Sequence, residues 1–101
     1  EDMLPLLDTD LKQILPKLYA QDKIDVRTIY ARFYAPSTNC EWFALEYSPL
    51  QRLFFGIIDE GDIKFGYFTQ EELELNEAIR DYDFKPEILR GDCYERVAWN
   101  R

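Results

Sequence analysis

The stretch FFGIIDEGDIKFGYFTQEEL, at 54–73, constrains the fold of this chain more than any other. An apolar run leads into Asp59-Glu60-Gly61-Asp62, and a second apolar run follows. Asp and Gly tolerate the positive φ that tight hairpins need, so the pattern predicts two antiparallel strands, 53–59 and 63–68, joined by a turn. Thr69 then stands three residues before Glu72, the spacing of a capping box that opens a helix. Leu75, Ile79 and Tyr82 continue at helical spacing, which predicts a helix fading near Asp83, ahead of Pro86.

The remainder extends this hairpin. Residues 25–35 (DVRTIYARFYA) and 40–48 (CEWFALEYS) are rich in β-branched and aromatic types and read as strands around the turn PSTN at 36–39. Pro49 ends the second, because proline cannot donate to a ladder. Residues 8–21 place Leu7, Leu11, Ile14, Leu15, Leu18 and Tyr19 on one helical stripe, with Asp8 or Thr9 as cap. Pro16 predicts a bend or break near Leu15. Residues 87–101 carry Ile88, Leu89, Val97 and Trp99 as a strand or loop. The expected architecture is α+β: a four-stranded antiparallel meander with an N-terminal and a C-terminal helix packed on one face. The expected organisation is one domain spanning 1–101, with 91–101 as a tail.

Composition narrows the function. The 101 residues are 47% hydrophobic, enough for a core, and no apolar run reaches membrane-spanning length. No basic-apolar leader is visible, so the expected location is cytoplasmic. The net charge of −8 disfavours direct nucleic-acid binding. Histidine is absent, which removes His-based nucleophile systems, and two cysteines cannot complete a zinc site. No catalytic residue, metal or cofactor is expected. Cys40 and Cys93 read as free thiols in a reducing compartment, with a single bridge between them left open. Asp59–Asp62 is wrongly spaced for a calcium loop and reads as a turn. Gly56 and Gly66 read as sites of close packing or a bulge.

The phrases RFYAPSTNCEWFALEY, LFFGIID, FGYFTQEELE and DFKPEIL, together with LPKLYAQ near the start, resemble an uncharacterised bacterial family of small single-domain proteins of unknown function. That family is common on plasmids, phages and other mobile elements. The likeness covers roughly residues 5–90. Two departures stand out: Ser48-Pro49-Leu50-Gln51-Arg52 replaces an acidic, glycine-bearing turn, and Lys64-Phe65 replaces an acid before Gly66-Tyr67-Phe68. The resemblance implies a mobile-element context and assigns no site residue.

Two candidate contact surfaces emerge. Strict alternation puts Trp42, Ala44 and Glu46 on one face and Phe43, Leu45 and Tyr47 on a core face. It likewise puts Tyr30, Arg32 and Tyr34 together, opposite Ile29 and Phe33. Tyr, Trp and Arg are enriched in interface hot spots, so Tyr30, Arg32, Tyr34, Trp42 and Glu46 form the first candidate. The competing readings are an ion pair from Glu46 to Arg27 or Arg32, and a sheet covered on both faces. The second candidate is an acidic stripe of Glu74, Glu77 and Asp81 at i, i+3 and i+7, against a plain solvated face. Residues 59–83 hold nine acids and two bases, a charge of −7 out of −8. The expected function is a small acidic protein-interaction module, an accessory or inhibitor protein serving a mobile element, whose partner is a host or element-encoded protein with a basic surface, a defence protein among the candidates. The oligomeric state is left open. The alternative is a small ligand-binding domain or carboxylate enzyme with a pocket near Glu46 and Tyr67.

Overall fold

The computed structural model describes residues 7–21 and 27–88. The chain runs α1 (Thr9–Ile14), β1 (Thr28–Ile29), β2 (Ala31–Ala35), β3 (Cys40–Ser48), β4 (Leu53–Asp59), β5 (Ile63–Thr69), α2 (Gln70–Leu75), β6 (Ile79–Arg80) and β7 (Glu87–Ile88). The fold is α+β. Its main sheet is antiparallel with order β5-β4-β3-β2-β6, five strands where four were expected, and β1 pairs separately with β7.

Local chemistry explains the ends of each helix. Asp8 caps α1, its Oδ1 accepting the Leu11 N–H at 2.8 Å. The helix stops at Ile14, at the break that Pro16 predicts near Leu15, and it does not resume over 16–21. Leu15 is extended (φ −71°, ψ 123°), as the residue before a proline is pushed to be. The capping box forms as the sequence predicts: Thr69 Oγ1 accepts the Glu72 N–H at 3.0 Å and Glu72 Oε1 accepts the Thr69 N–H at 2.8 Å. The helix it opens closes much earlier than Asp83. The Ala78 N–H reaches the Leu73 carbonyl at 2.8 Å and the Glu77 N–H reaches the Glu74 carbonyl at 3.0 Å. With Glu77 at φ +56°, this is a Schellman stop, sealed by Leu73 and Ala78 in one core cluster. The chain beyond is thereby redirected, and Ile79–Arg80 pairs with β2 as the fifth strand. Leu75, Ile79 and Tyr82, expected to face the sheet from a helix, are all exposed.

The expected strand at 25–35 is split at Tyr30, whose N–H bonds the Ala44 carbonyl at 2.9 Å; residues 25 and 26 lie outside the described residues. The principal core gathers Phe33, Trp42, Tyr47, Phe54 and Phe68 with Leu11, Leu15 and Leu73. Phe54 stacks on Phe68 at 5.1 Å and meets Phe33 edge-on at 5.5 Å, the offset and edge geometries that aromatic quadrupoles favour. Burying each of these rings stabilises the fold by about 2–3 kcal/mol. A smaller cluster of Ile29, Leu45 and Ile57 with Phe43, Phe65 and Phe84 lies on the opposite face. Among the described residues no helix is long and apolar enough to cross a membrane.

Candidate functional site

The centre of the molecule's polar chemistry is an irregularity in β3. Ala44 lies opposite Gly56 and Glu46 opposite Phe55, so Leu45 is an extra residue, a β-bulge. The bulge resets the alternation. Tyr47 joins Trp42 and Ala44 in the principal core, while Glu46 falls on the Phe43 side, which reverses the expected grouping. Gly56 makes this approach possible, because a Cβ there would stand 1.9 Å from the Phe43 carbonyl oxygen.

Glu46 is fully buried. Its Oε1 accepts the Tyr19 N–H and its Oε2 the Gln21 N–H, each at 2.7 Å. The turn that follows α1 is thus fastened across the end of the sheet. Gln21 completes the clamp. Its Nε2 donates to the Leu45 and Thr28 carbonyls at 2.9 and 3.0 Å, and its Oε1 accepts the Thr28 N–H at 2.6 Å. A side-chain amide here stands in for a strand partner, satisfying groups that the bulge and the short β1 leave unpaired. Arg32, one of the two cations weighed as an ion-pair partner of Glu46, pairs with Glu41 and Asp81, and the Arg27 Nε donates to the Gln21 carbonyl at 3.1 Å. Gln21 was not singled out from sequence. A glutamate flanked by Leu45 and Tyr47 in an aromatic strand is the local sign that a distant donor is needed.

Arg32 is held between two acids, Nη2 to Glu41 and Nη1 to Asp81, both at 3.0 Å. Its guanidinium lies over the Tyr34 ring at 4.7 Å. Burial alone would lower its pKa, but the hydrogen bonds to Glu41 and Asp81 outweigh it and push the pKa up. The first candidate surface therefore does not assemble. Arg32 and Tyr34 are together and half-buried, Tyr30 packs against the principal core, and Trp42 and Glu46 are buried. Ile29 and Phe33, expected on one face, lie in opposite clusters because the strand breaks between them.

The acidic stripe also dissolves as a helix face. Glu74 is in α2 and lies 3.7 Å from Arg52, Glu77 occupies the left-handed stop, and Asp81 turns to Arg32. The helical spacing of these three residues fails because the Schellman stop intervenes. Their segment is nevertheless acidic on its outside: Glu60, Asp62, Glu71, Glu72, Glu74, Glu77 and Asp83 are all exposed.

At the far end of β3 from Glu46, a shallow cleft of about 380 Å³ opens between the 36–39 turn and the β4–β5 turn, lined by Thr38, Asn39, Glu41, Asp59, Glu60 and Gly61. The expected turn at Asp59–Asp62 is present, with Gly61 at φ +108° and its N–H donated to Asp59 Oδ1 at 3.2 Å. Among the described residues no cluster of His, Cys, Asp and Glu could hold a metal ion. Cys40 is a free thiol donating to the Thr38 carbonyl at 3.6 Å; Cys93 lies outside the described residues. No family model, no curated protein and no solved structure matches this chain.

Proposed function

We propose that this chain is a protein-interaction domain that binds a partner with a basic surface, and that it serves a mobile element as an accessory or inhibitor. The observation that supports this reading is the division of labour among its acids. Among the described residues the one fully buried carboxylate, Glu46, is committed to backbone N–H groups, while seven of the nine acids of 59–83 are exposed, Asp59 and Asp81 being half-buried. Among the described residues Asp62, Glu71 and Glu77 have no cationic side chain within ion-pair distance. Uncompensated exposed charge of one sign accelerates encounter with an opposite surface and sets partner choice. The mobile-element role rests on the family resemblance of the sequence phrases, and the basic partner rests on the charge.

The test is affinity capture of the tagged protein from a nuclease-treated bacterial lysate, beside a variant carrying Asp62→Lys, Glu71→Lys and Glu77→Lys. The reading expects a stoichiometric partner rich in Lys and Arg, bound about tenfold more slowly by the variant, with a strong dependence on ionic strength. Capture of the same partner at unchanged rate by the variant would remove the acidic surface from the proposal. Absence of any stoichiometric partner would overturn the interaction reading itself.

A further inference from the structure

We draw no further inference here: the strongest candidate, the shallow acidic cleft between the 36–39 and β4–β5 turns, is a cluster of solvent-facing carboxylates with no second feature in the structure that points to a ligand.

Discussion

Two glutamates on β3, Glu41 and Glu46, show opposite uses of the same side chain. Glu41 sits near the open end of the sheet, its side chain 38% exposed, and meets the Arg32 guanidinium. Glu46 is fully buried and takes two backbone N–H groups from a turn far away in sequence. Water can replace what Glu41 does, since an exposed ion pair contributes little beyond solvation. Water does not replace Glu46 at the buried Gln21 donor without opening the turn, so Glu46 is needed for the fold to close there. The difference lies in what surrounds each carboxylate, not in the residue type.

The sharpest way to break this comparison is to remove Glu46. Glu46→Leu leaves the buried Gln21 N–H and the part-buried Tyr19 N–H without their carboxylate acceptor, and the expected loss is about 3 kcal/mol. In a domain of this size that lowers Tm by on the order of 15 °C. Glu46→Gln keeps one acceptor oxygen and is expected to lose about 2 kcal/mol. Denaturant titration measures both. A loss under about 1 kcal/mol for Glu46→Leu would mean that the clamp does not hold the turn.

Next in size is Gly56→Ala, which tests the bulge that turns Glu46 to its side of the sheet. The added Cβ collides with the Phe43 carbonyl, so β3 and β4 must part, at a cost of about 2–3 kcal/mol. Its register partner Gly66 is the control. A Cβ there meets only the Ile58 Cδ1 at 3.3 Å, the end of a flexible side chain, and Gly66→Ala is expected to change stability by less than about 1 kcal/mol. Equal losses at the two glycines would remove the special role of the bulge.

At the Glu41 end, Glu41→Gln should cost about 1 kcal/mol or less at low salt, because the pair is partly exposed and Arg32 retains Asp81. The loss should shrink as salt is raised, whereas the Glu46→Leu loss should not. A salt-independent Glu41→Gln loss would show that the two glutamates behave alike after all. Glu77→Gly moves stability the other way. A glutamate held at φ +56° bears a steric penalty that glycine lacks, and a gain approaching about 1 kcal/mol is expected.

Local signals made much of the fold legible. The span 40–48 is β3 and 53–59 is β4, because proline and turn residues mark their limits. The Thr69 capping box is a contact between neighbours in sequence and could be read directly. What failed was everything decided at a distance or by one unusual backbone. Glu77 adopts a left-handed stop usually given to glycine, so the Leu75, Ile79 and Tyr82 spacing was mistaken for a continuing helix. The bulge at Leu45 has no sequence mark of its own, and one extra residue inverts every side chain after it. The grouping of Trp42 with Glu46 was lost for that reason. Gln21 became visible only when β3 and the turn after α1 came together.

The smallest effect belongs to Asp8, an acid whose setting lies between the two glutamates. Like Glu46 it accepts a backbone N–H, that of Leu11, and like Glu41 it faces a guanidinium, Arg80, at 3.1 Å. The Arg80 Nη1 is out of line for a hydrogen bond, so that second contact is one of charge. The Leu11 N–H, chiefly, and then the Arg80 charge hold the Asp8 carboxyl below the usual aspartate range, against burial that would raise it. A depressed native pKa means that the unfolded chain binds the proton more readily. The stabilisation is therefore complete above the usual aspartate range and is lost as pH falls through it to the native value. Asp8→Asn retains a capping oxygen while removing the charge. Its stability deficit should be constant near neutrality, fade on acidification, and weaken with salt because Asp8 is 40% exposed. A deficit that persists unchanged at low pH would assign the contribution to the cap alone, and would place Asp8 with Glu46 as a backbone acceptor.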